Sequence, residues 1–122
     1  MTKRQLALLE RLEVWFDANA HATPLDAARE MRMPPEAAQA VVNLGVSAGR
    51  LILIGSEVYT TLTFQALVTG IRTRFGDTSF QPRELREALA EGRVWVDHFA
   101  DVLSRKGLLE RFPGGWRLQQ GE

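Results

Sequence analysis

The sequence predicts a mainly helical α+β protein made of two tandem winged-helix repeats, each of three helices followed by a small β-hairpin. Three observations carry this expectation. Apolar residues recur at helical spacing in successive segments, two short apolar runs fold about glycine turns, and the same order of elements occurs twice within 122 residues. The repeats are expected at residues 1–61 and 62–122.

In the first repeat, Leu6, Leu9, Leu12 and Phe16 stand three and four apart, the period of a helix with one buried face. Thr23, Pro24 and Asp26 then form an N-cap, a first-turn proline and a capping-box partner, which start a short second helix. Pro34 and Pro35 stop that helix and open a third, with Ala37, Val41 and Leu44 expected on one face and Gly49 at its end. The run RLILIGSEVYTT follows, and glycine at the first central position of the two-residue loop Gly55-Ser56 suits a type II′ hairpin.

The second repeat has the same plan. Phe64, Leu67, Ile71 and Phe75 give its first helix, and Pro82 opens its second, with Phe80 and Leu85 placed as a hydrophobic staple across Gln81. Val96, Phe99, Ala100 and Leu103 give the buried face of the third, which closes on Arg105, Lys106 and Gly107. Its hairpin is expected to turn at Pro113-Gly114-Gly115. A short turn between second and third helices, followed by a hairpin, is the helix-turn-helix plan with a wing. Only TTLT joins the two repeats, too short for a flexible linker.

Composition removes several function classes. Lys plus Arg number 15 and Asp plus Glu 15, so no whole-molecule field draws in nucleic acid or an anionic membrane. Cysteine is absent, which excludes disulfides, thiolate metal sites and cysteine nucleophiles, and fits a cytoplasmic location. Glu10, Arg11, Glu13 and Asp17 interrupt the first apolar run, so neither a signal peptide nor a membrane span is expected.

No enzyme is expected either, and neither a cofactor nor a metal. HExxH, a phosphate-binding glycine loop and GxSxG are all absent from the sequence. His21 and His98 belong to different repeats and read as surface residues. Glu84, Glu87 and Glu91 share a helix with Arg83 and Arg86, which makes them members of solvated ion pairs and not a metal face.

The candidate binding surface lies in the second repeat. The third helix of a helix-turn-helix unit leads into a groove with its N-terminal residues. There the first repeat offers Pro34, Pro35 and Glu36, whereas the second offers Arg93 and Trp95. An arginine pairs with phosphate or guanine, and an exposed indole stacks on an unpaired base, so this pair suits RNA loops; the alternative for Trp95 is packing in the core. Arg111 and Arg117 on the wing and Arg83 and Arg86 on the second helix complete the set of expected RNA-binding residues. From residue 62 onward nine cations face eight carboxylates, so the footprint must be small.

The stretches GRLILIGSEVYTTLTFQALVTGIRTRFGDTSFQPRELREALA and GRVWVDHFADVLSRKGLLERFPGGWRL together resemble the last two winged-helix domains of the bacterial selenocysteine-specific elongation factor SelB. The resemblance covers nearly the whole chain and rests on pattern. It implies a translation module that binds the apex of a SECIS hairpin in messenger RNA. In that family the contacts come from a Ser-Arg-Lys-aromatic run at the third helix and an Arg-Arg-x-Gly-Asp run in the wing. Here they correspond to Gly92-Arg93-Val94-Trp95 and to Glu110-Arg111-Phe112 with the following glycine turn, so Val94 replaces a lysine and Glu110 an arginine. The implied partners are a structured RNA hairpin and, beyond it, a larger translation factor or the ribosome. A membrane is excluded and DNA is disfavoured. The alternative readings are a winged-helix module for protein–protein interaction, which the acidic Asp97, Asp101 and Glu110 favour, and a DNA-binding regulator.

Overall fold

The computed structural model describes residues 1–119. Six helices and two hairpins follow in the order α1 (Lys3–Ala18), α2 (Pro24–Met31), α3 (Pro35–Ser47), β1 (Leu51–Ile54), β2 (Glu57–Thr60), α4 (Thr61–Phe75), α5 (Pro82–Leu89), α6 (Arg93–Arg105), β3 (Leu109–Phe112) and β4 (Gly115–Leu118). The chain divides into two compact units, Met1–Phe64 and Gln65–Glu122, with the division inside α4. The α+β winged-helix architecture expected from the sequence is the one observed. Among the described residues no helix is long and apolar enough to cross a membrane.

The first unit buries Leu9, Leu12 and Phe16 of α1 against Ala27, Val41, Val42, Leu51 and Val58. Leu6, expected on this face, is 37% exposed. It lies a quarter-turn away from the Leu9–Leu12–Phe16 row, on the outward side. The buried row of α3 is Ala38, Val41, Val42 and Gly45, one residue on from the expected Ala37 and Leu44, which are half-buried. Gly45 decides this rotation: a Cβ there would stand 2.7 Å from Leu51 Cδ1 and 2.8 Å from Leu9 Cδ1, so the helix meets the core at its smallest residue.

Caps start the helices where the sequence signals them. Asp26 N–H donates to Thr23 Oγ1 at 3.2 Å, and Thr23 N–H to Asp26 Oδ2 at 2.9 Å. Both α2 and α5 end on a left-handed residue, Arg32 at φ 53° and Ala90 at φ 55°. In the first hairpin Gly55 turns at φ 63° while Ser56 keeps a negative φ, as a type II′ loop requires. Arg50 donates to both carboxylate oxygens of Glu13, from Nε at 3.0 Å and from Nη2, and this hydrogen bonding raises the Arg50 pKa above its ordinary value. Thr60, at the end of β2, donates to Asp17 of α1 at 2.7 Å.

The second unit buries Ile71, Phe80, Leu85, Val96, Phe99, Ala100, Leu103, Leu109 and Leu118. Phe80 stacks on Phe75 with centroids 4.5 Å apart. Phe80 and Leu85, expected as a staple across the Gln81 cap, are both buried, and Gln81 N–H donates to Glu84 Oε1 at 2.9 Å. The wing differs from expectation by one residue. Phe112 pairs with Gly115, so the loop is Pro113-Gly114, and Gly115 opens β4.

Gly115 adopts φ 148°, and a Cβ on it would lie 3.0 Å from the Phe80 carbonyl oxygen. That proximity reflects a bridge that no sequence pattern announces: Phe80 N–H donates to Trp116 O at 2.7 Å and Trp116 N–H to Phe80 O at 2.8 Å. The first unit has the matching contact, Val58 N–H to Ala22 O at 2.8 Å.

Gly115→Ala strains both the backbone and the Phe80 bridge and is expected to destabilise the protein by about 1–3 kcal/mol in urea titration. For Asp26, the Thr23 backbone N–H first and the Thr23 hydroxyl second hold its carboxyl below the ordinary carboxylate range. A lowered folded-state pKa means that this cap stabilises fully above the ordinary carboxylate range and is lost as pH falls through the folded value. Asp26→Asn should therefore lose stability at neutral pH and show a shallower acid dependence than the parent, read from melting temperatures across the acid range.

Candidate nucleic-acid interface

The third helix of the second unit, α6, starts at Arg93 behind Gly92, a residue with no side chain to cap it. Its first-turn N–H groups therefore carry the positive end of the helix dipole uncapped by a side chain. Arg93 is exposed, and Val94 beside it is 70% exposed. Among the described residues the Arg93 side chain has no hydrogen-bond or ion-pair partner.

Of the two places open to Trp95, on the surface or in the core, the structure shows the core. The residue is 8% exposed, and its indole stacks on Phe99 with centroids 5.0 Å apart and ring planes at 25°. Position 95 falls on the same side of α6 as Val96, Phe99 and Leu103, the side that faces the core. Little of the ring is left for a base to stack on. Its part in the site is to anchor the first turn of α6, which fixes where Arg93 and Val94 emerge.

The outward stripe of α6 continues through Asp97, His98, Asp101 and Arg105, all exposed. Two carboxylates thus occupy the middle of the helix face that would enter a groove. Asp101 is partnered: Arg111 Nη2 of the wing reaches its Oδ1 at 3.1 Å. Arg117 makes the second wing pair, Nη2 to Glu110 Oε1 at 2.9 Å.

Strand alternation sends the two wing arginines to opposite faces. Arg111 stands opposite Trp116 and Glu110 opposite Arg117 in the β3–β4 ladder, and cross-strand partners share a face. Arg111 accordingly sits 5.9 Å from the Trp116 ring centroid, on the side facing α6. Arg117 lies 5.9 Å from the Phe112 ring centroid on the other side.

Both pairs are exposed, with side-chain exposures between 40% and 58%. Ion pairs of this kind contribute about 0–1 kcal/mol, so an incoming phosphate can displace either carboxylate. The wing tip itself is held by Gln81, whose Nε2 donates to Gly114 O at 2.9 Å.

Arg83 lies on α5 and pairs loosely with Glu87 one turn away, Nε to Oε1 at 3.8 Å. Arg86, in the last turn of α5, is half-buried. The structure thus brings Arg111 to α6 through Asp101, leaves Arg117 on the far face of the wing, and keeps Arg83 and Arg86 on a separate helix. Phe112, 36% exposed beside Arg117, is an aromatic surface not expected from the sequence. Its signal was the alternation of Glu110 and Phe112 on the strand leading into a two-residue turn. Among the described residues no group of three His, Cys, Asp or Glu side chains is placed to hold a metal ion.

Solved structures share this architecture. The mRNA-binding domain of elongation factor SelB from E. coli, determined in complex with SECIS RNA, matches 98% of this chain and 100% of its own with a TM-score of 0.73. The fold is that of the SelB mRNA-binding domain. Sequence identity to it is 17%, so the likeness is one of fold. A bacterial selenocysteine-specific elongation factor, EF-Sec, matches 98% of this chain with a TM-score of 0.76 at 13% identity. The match covers 20% of EF-Sec, so this chain corresponds to a fifth of that factor. No protein-family model matches the sequence, and no curated protein matches it significantly.

The positions of Trp95 and Arg93 make opposite demands on stability. Trp95→Ala is expected to cost about 3–5 kcal/mol, as for other buried aromatic truncations. Arg93→Ala, on an exposed first turn, should stay within about 0.5 kcal/mol of the parent. Chemical denaturation of the two variants checks the contrast.

Proposed function

We propose that this chain is a non-catalytic RNA-binding module that recognises a structured hairpin of SECIS type in messenger RNA, in selenocysteine incorporation, through its second winged helix. The observation that carries this reading is the full-length match in fold to the SelB domain determined on SECIS RNA. Arg93 at the start of α6 and Arg111 on the wing are the first contacts. Arg117 joins them from the other face of the hairpin, and Arg83 and Arg86 flank from α5. Such a module acts in the cytoplasm, as a segment of a larger translation factor or beside the ribosome.

Phosphate contact in this reading is an exchange of partners. Arg111 leaves Asp101 and Arg117 leaves Glu110 as RNA oxygens replace carboxylate oxygens, while Arg93 needs no release. The gain per arginine is therefore smaller than for an unpaired cation, and affinity depends on the hairpin presenting several phosphates at once. Asp97 and Asp101 on the outward stripe favour a second reading, a surface for a basic protein partner.

Fluorescence anisotropy with a hairpin RNA and a DNA duplex, each at two salt concentrations, separates the readings. Hairpin binding is expected, with the DNA duplex weaker. Replacing Arg93 and Arg111 together by alanine should lower affinity by more than tenfold and make the log–log salt slope shallower by roughly 0.7–0.9 for each phosphate left unneutralised. Glu110→Gln, which frees Arg117, should raise affinity severalfold. An affinity unchanged by the double replacement at both salts removes this surface as the RNA site, and absence of hairpin binding favours the protein-partner reading.

A further inference from the structure

His21 stands in the turn between α1 and α2 with φ 64°, a left-handed backbone that a residue with a Cβ keeps only where contacts hold it. Two side chains of β2 meet it there. Its Nδ1 lies 2.8 Å from Glu57 Oε1 and 3.3 Å from the Tyr59 hydroxyl oxygen, and that hydroxyl donates to Glu57 Oε1 at 2.7 Å. One carboxylate oxygen thus holds both neighbours.

The cluster covers the backbone contact that ties the first wing to the helices. Val58 N–H donates to Ala22 O at 2.8 Å, with His21 adjoining the acceptor and Glu57 and Tyr59 on either side of the donor. Alternate residues of a strand share a face, so Glu57 and Tyr59 flank this bond together. Separating Val58 from Ala22 therefore pulls His21 away from Glu57.

Histidine changes charge in the neutral range, and this one has a route to solvent, with 45% of its side chain exposed against 26% for Glu57. An ionised carboxylate only accepts, so Nδ1 carries the hydrogen and a further proton enters at Nε2. Protonation then adds an ion pair to a hydrogen bond already made. At the adjoining helix ends Asp17 is taken by Thr60 and Thr63, and Asp26 by Thr23 with Arg29 acting on it. Strand β1, Leu51–Ile54, has no ionisable side chain. Glu57 is the charge that answers the imidazolium.

We propose that His21 and Glu57 form a proton-operated latch on the first wing, in which protonation of His21 tightens the hold of β2 on the α1–α2 turn and loss of the proton loosens it. A carboxylate partner favours the charged ring in the closed state, so the latch holds fully below the ordinary histidine range and is lost as pH rises through the closed-state value. The second wing has no counterpart. Its bridge joins Phe80 to Trp116, which puts Ser79 in the place of His21 and Gly115 in that of Glu57.

Amide hydrogen exchange of the full chain, followed by NMR from about pH 5.5 to about pH 8 and corrected for intrinsic rates, reads the latch at Val58. A partly exposed ion pair gives about two- to fivefold greater protection at the acid end, while Phe80 and Trp116 hold a constant protection. By linkage the His21 titration midpoint falls by the matching amount, roughly 0.3–0.7 pH unit, in Glu57→Gln, and the His98 resonance does not respond. His21→Gly, which the left-handed backbone accepts, keeps the fold and removes the pH dependence at Val58. Protection at Val58 that is flat across this range overturns the proposal. So does a dependence that survives Glu57→Gln or His21→Gly, or one that appears equally at Phe80 and Trp116.

Discussion

Each repeat depends on one backbone contact, between the residue just before its second helix and the second strand of its wing. In the second unit this is the two-way bridge of Phe80 and Trp116; in the first it is Val58 N–H on Ala22 O. The contact closes a loop that neither the helices nor a lone hairpin could hold, since a two-stranded ribbon by itself is marginal in water. It also determines chemistry elsewhere. The Thr23 and Gln81 caps follow immediately on the bridged residues, so the bridge sets where the second helices begin. Gly115 must be glycine because Phe80 O lies against it, and the wing that carries Arg111 and Arg117 is placed by the same two hydrogen bonds.

Much of this was legible from residue order. The caps, the stopping prolines, the αα turn and both hairpins rest on local chemistry, and local chemistry is what a sequence displays. Gly49 and Gly107 mark equivalent helix ends in the two repeats, whereas the left-handed stops at Arg32 and Ala90 fall on residue types that do not announce them. The bridge was not legible, because Ala22 and Phe80 are single residues with no strand pattern around them. The one-residue rotation of α3 was hidden for a similar reason. Periodicity alone allows either Ala37 or Ala38 to face inward, and only the close approach of Gly45 to Leu9 and Leu51 decides between them.

At the candidate site, residue types were legible and their directions were not. Arg93 and Trp95 are two apart on a helix, about 200° around the axis, so they cannot both face outward. The core takes the larger apolar ring, stacking Trp95 on Phe99, and the exposed place goes to Val94. A strand alternates by residue, and the hairpin register that puts Glu110 opposite Arg117 also turns Arg111 to the other face. Which carboxylates partner the wing arginines depends on that register and on the approach of α6, neither of which composition reveals.

Pairing those arginines has a consequence for selectivity in the proposed RNA reading. An unpaired cluster of cations binds any polyanion, with affinity set mainly by charge density and salt. Here the chain is neutral overall, Arg111 and Arg117 are held by Asp101 and Glu110, and Asp97 lies exposed on the leading helix. A duplex meeting this surface gains little from a phosphate at either wing arginine, because approach to Arg111 or Arg117 first displaces a carboxylate that then repels it. A folded hairpin can present phosphates to Arg93, to the α6 side of the wing and to the Phe112 side together, so several exchanges occur in one event. Specificity then comes from the shape that allows simultaneous exchange, and the acidic partners, which lower affinity for every polyanion, lower it most for those that reach one arginine at a time.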